Sequence, residues 1–127
     1  MALYDTLPVF GDTYSLTKLV FTVSQDFPRE YKFTLGQDMK RDCLSLLRSI
    51  YRINRSQEKS ILLDSFLDDF ELLKLEIRLC HDMKLISIKR QAEFARYTDS
   101  IGRQITGWRS ASSGAGVRAV KAAGSEQ

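Results

Sequence analysis

Four arginines are the side chains in this sequence whose type and spacing fit a chemical task most clearly. They follow one another at spacings of seven, four and three residues, as Arg41, Arg48, Arg52 and Arg55. In an α-helix these spacings place all four on one face. The guanidinium group carries a planar fork of donors that matches phosphate oxygens, so the row suits the backbone of a nucleic acid. The alternative is a solvated polar face, which every helix of a bundle needs.

A second basic row lies further along the chain. Lys89, Arg96 and Arg103 are seven residues apart each time, and Lys59 would extend the first row if its helix continued that far. We expect no acidic residue within the first row to neutralise its arginines at a spacing of three or four. Together the two rows could follow a phosphate backbone, with an affinity that falls steeply as salt rises. Nothing resembles a base-reading element, which predicts little sequence specificity.

Side chains that could support catalysis or bind a metal are few. Cys43 and Cys80 fall in apolar helical patterns, which indicates buried, reduced thiols. The single histidine, His81, adjoins Cys80, but adjacent helical residues point about 100° apart, and zinc needs three or four converging ligands. Asp68 and Asp69 belong to a predicted solvated face, and the common nucleotide-binding and hydrolase motifs are absent. We therefore expect no metal, no cofactor and no enzymatic activity.

The charge of the chain alternates along its length. The net charge is only +3 over 127 residues. Residues 28–59 carry +4 and residues 84–121 carry +6, whereas residues 60–83 carry −4. A hydrophobic content of 43% fits one domain with a modest core. No apolar run approaches about 18 residues and no leader pattern is present, so the expected location is the cytoplasm.

Four amphipathic segments are predicted to position these side chains. In each, apolar residues recur at spacings of three and four, the period of a helix with one buried face. The predicted helices cover residues 11–25, 35–54, 60–82 and 88–108. With short connections they predict an all-α, up-down-up-down four-helix bundle over residues 1–110. The low-complexity stretch 111–127 is predicted to be a disordered tail.

The apolar positions of the four helices define the predicted core. They are Leu16, Leu19, Val20, Val23, Phe27, Leu35, Met39, Cys43, Leu46, Ile50, Ile53, Leu63, Phe66, Phe70, Leu73, Ile77, Cys80, Phe94, Tyr97, Ile101, Ile105 and Trp108. The third helix carries further leucines outside this face, at positions 62, 67, 72, 75 and 79. Such a wide apolar surface predicts contact with two neighbours or with a second subunit. Its polar face is predicted to be acidic, through Asp64, Asp68, Asp69, Glu71 and Glu76.

The helix ends are predicted from capping residues. Asp12 or Thr13 is the candidate cap of the first helix, and Gly107 suits the end of the fourth. Between the first two helices, the stretch FPREYKFTLGQ is predicted to be a hinge. In it, Pro28 ends the first helix, the rings of Tyr31 and Phe33 cover one end of the core, and Thr34 with Gln37 forms a capping box for the second.

The hinge and second helix, FPREYKFTLGQDMKRDCLSLLRSIYRINR, resemble a bacterial four-helix-bundle family. That family includes ribosomal-RNA intervening-sequence proteins and the accessory variability determinants of diversity-generating retroelements. The chain is more similar to the accessory branch, through Arg78-Leu79, then Asp82 to Ser87, then Ile101-Gly-Arg103 and Gly107-Trp108. The resemblance covers about residues 7 to 110. One departure is Thr106, where the family often has a glycine before the Gly-Trp pair; we expect it to affect helix-end packing rather than function.

The resemblance implies a function that composition does not. Such proteins form ring-shaped homopentamers with a basic surface, bind RNA or DNA, and partner a reverse transcriptase that copies a template RNA into variable cDNA. The accessory protein itself is not an enzyme in that picture. One alternative is an oligomeric assembly protein of the wider family without a nucleic-acid role. Another is a bundle that binds a small molecule among the aromatic rings of Phe66, Phe70 and Trp108.

Overall fold

The computed structural model describes the backbone of residues 3–125 and the side chains of residues 3–113. Within that range the chain forms four long helices and no strand, as predicted. They are α1 (Pro8–Ser24), α2 (Leu35–Arg55), α3 (Ser60–Asp82) and α4 (Ile88–Ser125). A 3-10 turn, Tyr4–Thr6, precedes α1, and a single helical turn, Arg29–Lys32, lies between α1 and α2. Among the described residues, no helix combines the length and the hydrophobicity of a membrane span.

The four helices pack around a square. α1 packs against α2 and α4, and α3 packs against the same two helices. α2 and α4 make no comparable contact, so they occupy opposite corners of the bundle. This order is the one that short connections between successive antiparallel helices produce.

The buried core follows the predicted helical periodicity. All the predicted core residues either are buried or pack against the buried cluster as partly exposed neighbours, as Leu35, Tyr97 and Trp108 do. Phe66 and Phe70 are core residues, with ring centroids 6.0 Å apart. The apolar pattern was therefore sufficient to place the inner face of each helix.

The predicted cap of the first helix is wrong. α1 begins at Pro8, because proline is well suited to the first helical position, where no amide hydrogen is needed. Asp12 and Thr13 consequently lie inside the helix. The Thr13 hydroxyl donates to the Val9 carbonyl oxygen at 2.7 Å. Asp12 accepts hydrogen bonds from Ser100 Oγ at 2.6 Å and from Gln104 Nε2 at 2.7 Å, which joins α1 to α4.

The hinge between α1 and α2 differs from the prediction in two respects. Thr34 does not cap α2; its hydroxyl donates to the Glu30 carbonyl oxygen at 2.7 Å, because the preceding helical turn brings that oxygen within reach. Phe33 is 58% exposed, so only Tyr31 packs against the core. Gly36 is buried, and a Cβ there would lie 3.4 Å from Ser24 Cβ. The hinge glycine therefore marks a close approach between α2 and the end of α1.

The predicted end of the fourth helix is also wrong, since α4 continues past Gly107 to Ser125. One glycine costs a helix only about 1 kcal/mol. Beyond it, Arg109 Nε donates to Asp64 Oδ1 at 2.6 Å and its Nη2 donates to Oδ2 at 3.3 Å, which ties α4 to α3. The predicted disorder of residues 111–127 falls mostly outside the residues whose side chains are described, and it stays a prediction.

Candidate nucleic-acid interface

The outer face of α2 carries the first basic row. Arg41, Arg48, Arg52 and Arg55 are all exposed. They lie opposite the face whose residues, from Met39 to Ile53, are buried in the core. The amphipathic pattern of α2 therefore holds the four arginines in solvent on a rigid element.

The four arginines are not equally available. Arg41 Nη2 lies 3.1 Å from Asp38 Oδ1, and its Nε lies 3.7 Å from Asp42 Oδ1. The expectation that no acid neutralises the row is therefore wrong for Arg41, because Asp38 lies one helical turn before it. Arg48 and Arg52 have no ion pair within residues 3–113. Arg55 donates to the Tyr51 hydroxyl at 3.0 Å and to no carboxylate in that range. Three unneutralised cations thus span about 10 Å of helix.

Lys59 does not extend the row, because α2 ends at Arg55. The chain then turns back, and Lys59 Nζ donates to the carbonyl oxygens of Ile53 at 2.9 Å and Asn54 at 3.3 Å, and also to that of Ser56. A cation at the carboxyl end of a helix satisfies its terminal carbonyls and complements its dipole. Lys59 therefore has a structural role at the end of α2.

The second basic row lies on α4 and is not continuous with the first. Lys89, Arg96 and Arg103 are exposed and have no ion pair in the part of the chain whose side chains are described. The Arg96 guanidinium lies 5.2 Å from the centre of the Tyr97 ring. Since α2 and α4 occupy opposite corners, one protomer does not bring the two rows onto a single surface. Within one protomer the two rows therefore lie on separate surfaces, and their joint role in binding stays a prediction.

A cluster of four aromatic rings lies beside the first row, and sequence reasoning missed it. The ring centroids of Tyr51 and Tyr4 are 5.1 Å apart, those of Tyr4 and Phe10 are 5.3 Å apart, and those of Phe10 and Tyr14 are 6.2 Å apart. The first turn of the chain carries Tyr4 to α2, which no local pattern indicates. The spacing of four between Phe10 and Tyr14 is the one local signal for part of the cluster.

A pair of carboxyl groups is buried between α2 and α3. Glu76, predicted on the acidic solvent face of α3, is only 8% exposed. Its Oε1 and the Oδ2 of Asp42 are buried, with no hydrogen-bond partner among the described residues. Burial, together with the neighbouring Asp42 carboxyl, raises the pKa of Glu76 to about 8. The prediction for Glu76 was wrong because the 3.6-residue period places it at the border of the apolar face, where α2 covers it.

We expect the Glu76 pair to make stability fall as pH rises. The folded protein, with the pKa of Glu76 near 8, keeps a proton that the unfolded chain releases near the ordinary value of 4.5. Stability is therefore lost progressively between these two values. Glu76→Gln should remove this pH dependence. Above pH 8 its free energy of unfolding should exceed that of wild type by about 1–3 kcal/mol. Urea unfolding at pH 5 and pH 8.5 measures both effects.

The matched control for Glu76→Gln is Glu71→Gln, on the same helix. Glu71 is exposed and pairs with Lys74 at 3.0 Å, so its removal should leave the pH profile of unfolding unchanged. Equal pH profiles for wild type and Glu76→Gln would show that the buried pair does not titrate in this window.

The two cysteines are free and buried. Burial raises the pKa of each thiol to about 12, so both stay protonated at neutral pH. The part of the chain with described side chains contains no group of three or more His, Cys, Asp or Glu side chains arranged to hold a metal ion. The two basic rows and the rings beside the first row therefore remain the features suited to binding.

Comparison with protein-family models gives a match. A family model described as bAvd-like, for bacterial accessory variability determinant, matches residues 11–112. This range includes all of α2 and α3, most of α1, and α4 as far as residue 112. No curated protein matches the chain.

Proposed function

The chain belongs to the bAvd-like family, and from that premise we propose that it is an accessory protein of a diversity-generating retroelement that binds nucleic acid through α2. The family is one of accessory, non-catalytic proteins, and membership suggests an accessory variability determinant. It implies association with the reverse transcriptase of the retroelement and oligomeric assembly in general. In our proposal the polymerase performs the chemistry, and this protein holds RNA or DNA during mutagenic cDNA synthesis.

The observation that carries the proposal is the set of exposed, unneutralised arginines on α2: Arg48, Arg52 and Arg55. A nucleic acid gives up condensed counterions when cations of a protein replace them at its phosphates, and this release drives binding. Arginines already paired with carboxylates, as Arg41 is, contribute less to that release. The spacing of the three free arginines concentrates their charge on about two turns of helix.

The row on α4 is the weaker candidate. Lys89, Arg96 and Arg103 spread three cations over about 21 Å of helix, twice the span of the three free arginines on α2. Local charge density decides how many phosphates of a short segment are contacted at once. We therefore propose α2 as the principal contact surface and the α4 row as a secondary one.

The apolar surface of α3 fits assembly with further copies of the chain. Of its five extra leucines, Leu62 and Leu67 pack against the core, whereas Leu72, Leu75 and Leu79 are 51%, 53% and 47% exposed. Their spacings of three and four place these three on one outward stripe. An exposed apolar stripe of this kind marks a contact with another protein surface. We propose that it joins protomers in a ring-shaped homo-oligomer, with the pentamer of related proteins as the expected form.

A salt titration tests the proposed function. Fluorescence anisotropy with a labelled single-stranded RNA, and with DNA of the same sequence, measures the affinity across a series of salt concentrations. Three arginine–phosphate contacts predict a slope of about −2 for log K against log salt. Absence of binding at about 50 mM salt, from a protein that still assembles, would instead support an assembly protein without a nucleic-acid role.

A further inference from the structure

A shallow groove lies between the Tyr4–Thr6 turn and α2. It has a volume of about 260 Å³ and is lined by Tyr4, Phe10, Leu47, Arg48 and Tyr51. Phe10 packs against the buried core and forms part of the floor. The groove therefore combines an apolar floor, two tyrosine rings and one arginine of the basic row.

The two tyrosines of this groove are only partly buried. Tyr51 is 41% exposed and Tyr4 is 37% exposed, whereas the large side chains of the core are fully buried. Tyr51 and Tyr4 meet edge to face, with an interplanar angle of 86°. Both residues keep part of their surface exposed to solvent, which is the requirement for stacking an incoming planar group.

Three cations lie close to the rings. Arg48 lines the groove and has no ion pair within residues 3–113. The Arg55 guanidinium lies 5.4 Å from the centre of the Tyr51 ring, and Lys18 Nζ lies 5.1 Å from the centre of the Tyr14 ring at the other end of the cluster. A partner with a planar apolar group and adjacent negative charge is complementary to this surface. A nucleotide with an unstacked base has both properties. An apolar helix of a partner protein is the poorer occupant, because it would leave Arg48 desolvated and unpaired.

We propose that the groove of Tyr4, Arg48 and Tyr51 stacks an unpaired base, so that the protein binds single strands in preference to duplexes. The phosphates on either side of that base contact Arg48 and Arg55. A duplex does not present such a base without a cost of unstacking. This inference rests on the proposed function and deepens it, since it names the form of nucleic acid that the α2 surface selects.

Three probes with equal numbers of phosphates test the inference: a single-stranded oligothymidylate, an abasic strand of the same length, and a duplex of half that length. Their affinities are measured by fluorescence anisotropy at one salt concentration. We expect wild type to bind the oligothymidylate at least about tenfold more tightly than the abasic strand. Tyr51→Leu should lose this difference and leave the affinity for the abasic strand unchanged, whereas Tyr51→Phe should retain it.

Phe21→Leu is the matched control, because Phe21 is an exposed ring with a lysine, Lys40, 5.2 Å from its centre but outside the groove. It should bind all three probes as wild type does. If oligothymidylate and abasic strand bind equally and Tyr51→Leu has no effect, the stacking site is wrong while the proposed function stands. If none of the three probes binds, both the stacking site and the proposed function are wrong. If Tyr51→Leu instead changes the mass of the assembly, the groove is a contact between copies and the inference is overturned.

Discussion

Changing Leu72, Leu75 and Leu79 to glutamate should convert the assembled protein into monomers. About half of each side chain is exposed, so its burial between protomers contributes roughly 1–1.5 kcal/mol. In the proposed ring, three such contributions would recur at every interface. Burying a carboxylate in their place carries a further desolvation cost, so the change reverses the sign of the interaction. Light scattering coupled to size-exclusion chromatography measures the mass directly.

The matched control for the leucine variant is Phe33→Glu combined with Ile88→Glu. These side chains are also large, apolar and exposed, but they lie outside the outward stripe of α3. The control should keep the wild-type mass, and circular dichroism should show that both variants keep their helices. A leucine variant with the wild-type mass would place the subunit contact on another surface.

Changing Arg48, Arg52 and Arg55 to glutamine should weaken binding to a single strand about a hundredfold at about 0.1 M salt. Each lost arginine–phosphate contact reduces the number of counterions released on binding by roughly 0.7. The fold-losses in affinity from the three contacts multiply. Glutamine is polar and has a helix propensity close to that of arginine, so we expect the fold to be unaffected. Arg41→Gln alone should have a smaller effect than any one of the three, because Asp38 already neutralises Arg41.

The charge-matched control for the arginine variant lies on the opposite corner of the bundle. Changing Lys89, Arg96 and Arg103 to glutamine removes the same three charges from α4. We expect a loss of affinity well below that of the α2 variant. Equal losses in the two variants would mean that net charge, rather than the α2 surface, determines binding.

The sequence was sufficient to predict the bundle and its core, because burial of one apolar face per helix is a local, periodic property. Met39, Cys43 and Leu46 on α2 and Phe66 and Phe70 on α3 are buried where the period places them. The family resemblance, drawn from the hinge, α2 and the motifs from the end of α3 onward, is confirmed by the match over residues 11–112. Helix ends were less predictable. α1 begins at Pro8 rather than at the expected cap, and the turn before Thr34 takes the hydroxyl that was expected to cap α2.

The parts of the site that the sequence did not predict depend on contacts between distant segments. Glu76 is buried only because α2 brings Asp42 against it, and Tyr4 reaches Tyr51 only because the first turn folds back onto α2. The separation of the two basic rows follows from the order of helices around the square. These features require the tertiary arrangement, which helical periodicity does not contain.

The salt dependence of binding, compared between variants, tests the central claim most directly. The slope of log K against log salt reports the number of phosphate contacts independently of other interactions. For a single-stranded probe, we predict that the slope becomes less negative by about 2 when Arg48, Arg52 and Arg55 are changed to glutamine. The α4 variant should keep a slope close to that of wild type. Identical slopes for wild type and the α2 variant would contradict the claim that this face of α2 binds the nucleic-acid backbone.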